Sequence, residues 1–359
     1  MCSNAHAAAD LVQSHPVVNE IINSGLLVKA PVGLLPVLAF LATLLYMDSF
    51  KLVRFRLIVW LIFGGALTTV FAYYINGYLI GALQMEFMDY SHFVAPIVEE
   101  SLKGLIVVYL IARNRIGFLV DGALIGFAVG TGFAVVENLY YLYLIPDAGI
   151  AVWVIRGFGT ALMHGGVTAI FAVLAHVLTE RQEKAVLSPY IYAMLIAAVL
   201  HSIFNQFPIS PVFSAMVVLI GLPLVLTLVF NKSSSVMHEW LEVDFDANEA
   251  LLQKIMAGEL SESRSGQFLL KFRDRFQPLT MADMLCYIRL HVELAIRAKS
   301  MLMAREYDMD VTVDREVRDK FEELHALERN IGKSGLLAMR PYLNMSRKEL
   351  WQLFILEEQ

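Results

Sequence analysis

Apolar positions run almost unbroken through seven stretches of this chain, centred on residues 31–47, 57–80, 93–112, 119–145, 151–178, 188–206 and 212–230. A helix needs about 20 such residues to cross a bilayer core. The pattern therefore predicts an all-α, polytopic membrane bundle of seven spans, several of them near the short limit. Past residue 230 the pattern changes. "ANEALLQKIMAGEL", "TMADMLCYIRLHVELAIRAKSMLMARE" and "DREVRDKFEELHALERNIG" mix charges with regularly spaced apolar positions, which predicts amphipathic helices. Thr280 is the expected N-cap of the second, and the third is expected to end near Gly332. In "SRKELWQLFILEE", Ser346 and Glu349 have capping-box spacing.

Composition sharpens the division. The chain has 359 residues, 57% of them hydrophobic, against roughly 45–50% apolar in soluble domains. Only 22 Asp, Glu, Lys and Arg fall in residues 1–230, whereas the last 129 residues hold 40. The expected organisation is an N-terminal segment (1–30), a transmembrane domain (31–230) and a mainly helical C-terminal domain (231–359). Lys51, Arg54 and Arg56 lie in one connection, Arg113 and Arg115 in a second, Arg181 and Lys184 in a third. The alternate connections "GALQMEFMDYSH", "PDAGI" and "FPISP" have no Lys or Arg. The positive-inside rule then puts the N-terminus outside and the C-terminal domain in the cytoplasm. The first 30 residues lack the positive n-region of a signal peptide. Cys2 and Cys286 are too few and too distant for a disulfide framework, and Cys2 is a poor lipidation candidate. A net charge of −6 with no wide basic surface gives no reason to expect nucleic acid.

Ionisable residues interrupt the apolar pattern at particular places. Glu99, Glu100 and Lys103 lie in the third span, Glu137 and Asn138 in the fourth, His164 in the fifth, and His201 and Asn205 in the sixth. With spans of alternating direction, all fall at one depth, in the outer half of the membrane. A carboxylate at the bilayer centre costs about 2.5–3.5 kcal/mol on the mildest scale, so an intramembrane ionisable group is by default functional. Isolated Asn138, Asn205 and Thr168 are equally explained as interhelical glue, and His176 as a satisfied or interfacial histidine. Asp121 and Arg156 sit at span ends, where they reach an interface or snorkel. Gly122, Gly126 and Gly130 form a small-residue ridge suited to close helix packing. Gly165 and Gly166 leave room beside His164 for a helix backbone or a peptide.

Lys103 is i,i+4 to Glu99 and i,i+3 to Glu100, so it can neutralise one of them. Consecutive glutamates point about 100° apart, so one is expected to work and the other to be held. Glu100 is assigned to water activation, and Glu99 to Lys103 or a neighbouring helix. Carboxylates, imidazoles and water suit hydrolysis: a carboxylate as general base, a histidine or asparagine donating to the oxyanion. No serine or cysteine stands in this layer with a base beside it, and no H-E-x-x-H helix is present. A zinc ion held by Glu137, His164 and His201 is chemically reasonable, and a metal-free glutamate mechanism stands beside it. The main alternative is an ion-coupled transporter, although a proton relay wants groups at successive depths. A catalytically silent scaffold or receptor is the remaining one.

The same residues carry a family resemblance. "PIVEESLKG" resembles the E-E-x-x-K motif of the PrsW family of bacterial intramembrane proteases, and "GFAVVENLYY" is similar to that family's second motif. His164 in "MHGGVTA", and His201 with Asn205 in "LHSIFNQF", match the third and fourth motif helices. The layout relates the family more distantly to the CAAX prenyl endopeptidases, which have His where this chain has Glu137. The resemblance covers residues 93–206. It implies an endopeptidase of the bacterial cytoplasmic membrane, cutting a membrane-associated protein near the outer face, with an anti-sigma factor as the best-known type of substrate. It implies Glu99, Glu100, Glu137, His164 and His201 as catalytic residues, with Lys103, Asn138 and Asn205 in support. The long C-terminal domain departs from a minimal family member. Regulation, docking of a cytoplasmic partner and stabilisation are its open roles.

Overall fold

The computed structural model describes residues 25–180, 186–262, 264–273, 275–307, 309, 314–339 and 347–357, and no strand occurs among them. Helices α1 (Leu26–Met47), α2 (Phe55–Leu83), α3 (Ala95–Ala112), α4 (Leu119–Leu144), α5 (Ile150–Glu180), α6 (Ser188–Gln206) and α7 (Pro211–Met256) occupy the seven apolar stretches. Six of them are long and apolar enough to cross a membrane. The seventh, α3, differs by carrying Glu99, Glu100 and Lys103 within 18 residues. The architecture is a polytopic helical bundle. Cys2, Arg181, Lys184 and Ser346 lie outside the described residues.

The chain forms two compact units. The first takes in the chain up to Met47, Val53–Tyr109 and Val120–Val229. Its central element is α4, which is apolar on every side and buried along most of its length, as a helix without a polar face must be. Close approach makes this possible. A Cβ on Gly126 would collide with the Thr168 carbonyl, and one on Gly130 with the His164 carbonyl, so the ridge is a contact surface for α5. On the other side Gly65 of α2 meets the Val129 carbonyl, and Gly132 meets that of Ile62. Gly165 leaves no space beside His164, because the Phe127 ring fills it; Gly166 is covered by Leu222. Two π-helical turns interrupt the bundle, Tyr90–Val94 just ahead of α3 and Arg156–Ala161 within α5. Such turns recur at functional sites.

The second unit takes in Asp48–Leu52, Leu110–Leu119 and the chain from Phe230. Here α7 runs on to Met256, so "ANEALLQKIM" is its last part and not a separate helix. No Gly or Pro occurs between Leu224 and Ala257, and Gly258, at φ 77°, supplies the first left-handed stop. Helices α8 (Arg264–Phe272), α9 (Pro278–Glu306), α10 (Arg315–Met339) and α11 (Arg347–Glu357) follow. Helix α9 starts two residues ahead of Thr280, with Gln277 as its N-cap and Pro278 in the first turn, where proline needs no hydrogen-bonded N–H. The α10 stretch breaks at Gly332, whose φ of 71° and ψ of 169° are not helical, so the first helix ends there as expected and a second turns on to Met339. Phe118, Trp240 and Trp351 pack edge to face, with ring centroids 5.1–6.3 Å apart, and Arg115 stacks 3.2 Å over Phe354. Arg305 donates to the Lys51 carbonyl at 3.3 Å. The connections bearing Lys51, Arg113 and Arg115 thus belong to the same unit as the C-terminal helices.

Candidate active site

The five ionisable residues singled out above converge inside the first unit. Glu100 of α3 is buried, and its Oε1 meets Lys103 Nζ at 2.5 Å and His201 Nδ1 at 2.8 Å; the Thr168 hydroxyl lies 3.5 Å from Oε2. Lys103, also buried, approaches His164 Nδ1 at 3.2 Å and lies 4.6 Å over the Phe133 ring. Glu137 Oε2 of α4 lies 3.3 Å from His164 Nε2. Glu99 Oε2 lies 3.8 Å from His201 Nε2, and its Oε1 accepts from Asn76 of α2 at 3.3 Å. The two imidazole rings stand perpendicular, 4.8 Å apart.

These partners determine both histidine tautomers. A carboxylate can only accept, so His201 Nδ1 donates to Glu100, and in the neutral imidazole Nε2 presents a lone pair. An ammonium can only donate, so His164 Nδ1 accepts from Lys103 and Nε2 carries the proton, aimed at Glu137. Two similar residues thereby receive opposite duties: His201 offers an acceptor, His164 a donor.

The geometry changes several expectations. Lys103 pairs with Glu100, leaving Glu99 to the neighbouring helix. Glu100 is 1% exposed, and its Oε1 is committed to Lys103 and His201. Glu99, at 14% exposed, has room for a reactant. The proposed metal set also shifts. Glu99, His164 and His201 each offer a ligand atom within 4.8 Å of the others, whereas Glu137 is drawn away by Arg156, whose Nη2 donates to it at 2.9 Å. Asn138 reaches out of the cluster, donating to the Gly33 carbonyl of α1 at 2.7 Å and accepting from Arg156 Nε at 2.9 Å. Asn205 donates to the Ser91 carbonyl in the first π-turn at 3.0 Å, so it braces that turn.

Three further neighbours reach the cluster. Arg156, expected to snorkel from its span end, turns into the bundle instead. Asn76 and Tyr90, joined at 2.8 Å, form a relay to Glu99; an Asn deep in an otherwise apolar span was the available signal. Asp121 and His176, also buried, lie outside the cluster as described.

A polytopic helical membrane protein that gathers three carboxylates, two imidazoles and an ammonium in its bundle has the equipment of an intramembrane hydrolase. Residues 54–230 match the PrsW family intramembrane metalloproteases, and the chain carries a protease domain of that family, consistent with the four motifs. It is a multi-pass membrane protein with an intramembrane peptidase domain. No curated protein and no solved structure matches the chain.

Proposed function

We propose that this protein is an endopeptidase of the bacterial cytoplasmic membrane that cuts a membrane-associated protein near its outer face, with water activated by Glu99. The observation that carries this reading is the triangle of Glu99, His164 and His201, whose ligating atoms lie within 4.8 Å of one another. An oxygen centred among them comes within about 2.8 Å of all three, an ordinary hydrogen bond. Glu99 accepts a proton from that water while His201 Nε2, aimed by Glu100, orients it. The water oxygen adds to the peptide carbonyl, and the His164 Nε2 proton meets the oxyanion. Protonated Glu99 then delivers its proton to the leaving amine. Lys103 pairs with Glu100 and holds His164 in the donating tautomer.

The family name implies a metal, and one carboxylate with two imidazoles fits a catalytic zinc set. Glu99, His164 and His201 would hold it, with Glu100 behind His201 as the outer carboxylate that such ligands favour. When bound, the ion supplies Lewis acidity and lowers the pKa of water. Lys103 approaches His164 Nδ1 at 3.2 Å, so its ammonium would compete with an ion for that imidazole. Cytoplasmic placement of residues 231–359 is supported by the positive connections that share their unit.

The test is Glu99→Gln, which keeps size and removes the base. Cleavage of a co-expressed single-span substrate, with an anti-sigma factor tried first, is expected to fall at least about 1,000-fold, the scale of losing a group that acts in the transition state, with membrane abundance unchanged. Retained cleavage would remove Glu99 from the mechanism. Metal analysis of active protein, repeated after chelation, separates the two routes: rate tracking zinc content supports the metal route, and an unchanged rate supports the glutamate alone.

A further inference from the structure

Arg156 has more specific contacts than a snorkelling residue needs. A snorkelling arginine holds its head in the interface, yet this side chain is only 14% exposed and turns into the bundle. Nη2 donates to Glu137 Oε2 at 2.9 Å, Nε donates to Asn138 Oδ1 at 2.9 Å, and the guanidinium lies 3.7 Å over the Tyr141 ring. All three partners belong to one face of α4. Asn138 is in turn fixed by its bond to the Gly33 carbonyl of α1. The guanidinium fork is therefore held at both edges and across its plane.

The backbone is built to the same end. In a regular α-helix, positions eight apart, such as Arg156 and His164, diverge by about 80°. The π-turn Arg156–Ala161 takes up roughly one extra residue between them. They then behave as if seven apart, within about 20° of one line. Both side chains consequently converge on the same oxygen, Glu137 Oε2, at 2.9 and 3.3 Å. A π-turn sacrifices regular hydrogen bonding, and here it delivers two donors to one carboxylate.

We propose that Arg156 is a positioning residue for peptide hydrolysis: it pins the Glu137 carboxylate, which accepts from His164 Nε2–H and so fixes the imidazole in the orientation from which that N–H is shared with the developing oxyanion. The role rests on the peptidase reading above, and it acts through Glu137, without contact with the substrate. Asn138 and Tyr141 hold the guanidinium in its plane. Lysine keeps the charge but cannot donate in two fixed directions from one planar group.

The test is a double-mutant cycle on full-length protein in liposomes, with a quenched-fluorophore transmembrane peptide that the wild type cleaves as probe. Arg156→Gln is expected to lower kcat on the order of 10–100-fold, with KM within about twofold, the pattern of a misaligned transition state. Glu137→Gln is expected to fall by a similar factor, and the double variant no further than Glu137→Gln alone. Arg156→Lys is expected to recover part of kcat. If Arg156→Gln does not accumulate in the membrane, the cycle is run with Arg156→Lys, whose smaller loss must likewise vanish in the Glu137→Gln background. Unchanged kcat in Arg156→Gln, losses that multiply in the double variant, or an effect confined to KM each overturn the proposal. A wild type that cleaves, with an Arg156→Gln variant that cleaves equally, removes this proposal and leaves the peptidase reading standing. A wild type that cleaves no such peptide overturns both.

Discussion

Among the described residues, each unit of this protein buries one lysine completely, and the two are used differently. Lys103 in the bundle pairs with Glu100 at 2.5 Å and also reaches His164 at 3.2 Å. Lys299 in the C-terminal unit lies 3.4 Å from Glu349, with its ammonium 4.9 Å over Trp240. Around Lys299 the partners are fewer: Gln352, on the same helix as Glu349, donates to Glu349, Trp240 and Trp351 wall the pair, and Asp244 and His291 feel its charge. Burial pushes the Lys299 ammonium down and the Glu349 carboxyl up, each opposed by the other's charge. Around Lys103, three carboxylates and two imidazoles gather, with Arg156 as a second cation on Glu137, and Glu99 and Glu137 remain partly accessible. One pair ties α9 to α11; the other sets tautomers for its neighbours. Burial of an ion pair does not by itself distinguish structure from chemistry. The surplus of ionisable groups does.

The largest expected effect breaks the two pairs apart. Lys103→Met and Lys299→Met each strand a buried carboxylate, and each should destabilise by about 3–5 kcal/mol. Replacing both partners by apolar residues removes that penalty. Lys299→Met with Glu349→Leu should then melt near the wild type and cleave at its rate. Lys103→Met with Glu100→Leu should be similarly abundant in the membrane and inactive. Equal activity in the two double variants would erase the contrast.

A pH effect of about 3 kcal/mol is expected next in the C-terminal unit. His291 is buried, and its Nε2 has no hydrogen-bond partner among the described residues. Burial first, and then the Lys299 cation, push its pKa down to about 4 from the ordinary 6.5. Between those values the unfolded chain binds more protons than the folded one. The stability held above about pH 6.5 is therefore lost as pH falls toward 4, at about 1.4 kcal/mol per pH unit. Denaturation of the purified protein, followed by tryptophan fluorescence from pH 7 to 4, should fall more steeply for the wild type than for His291→Phe. Parallel slopes would remove His291 as the source.

The smallest effect sharpens the split between neighbouring glutamates. Glu100→Gln preserves hydrogen bonds to Lys103 and His201 but loses the charge. Cleavage should drop about 10–100-fold, as when an orienting partner is weakened, well short of the loss in Glu99→Gln. A loss in Glu100→Gln as deep as in Glu99→Gln would restore Glu100 as the base.

The legible part of the site follows from spacing and cost. Glu99, Glu100, Glu137, His164 and His201 stand out because apolar spans make every charge conspicuous, and alternating helix direction gives them a common depth. Which glutamate Lys103 would take was not legible, since i,i+3 and i,i+4 are both in reach. That choice depends on which face of α3 meets α5 and α6. Arg156 was hidden because regular helical periodicity turns it away from His164, and only the π-turn brings it back. The length of α7 was obscured by the change from apolar to charged residues at position 231, although the absence of Gly and Pro beyond Pro223 already allowed an unbroken helix.

By itself the sequence determined the membrane bundle, the change of pattern near residue 230, and the set of candidate residues. These follow from composition and periodicity, which act along one helix at a time. The tertiary structure decided how that set is divided: Glu100 bound to Lys103 and His201, Glu99 left accessible, and His164 and His201 given opposite tautomers. A hydrogen-bond donor is defined only by the acceptor it meets, and those partners come from different helices. Residues Glu100 and His201, 101 positions apart, lie 2.8 Å from one another only because α3 and α6 pack together.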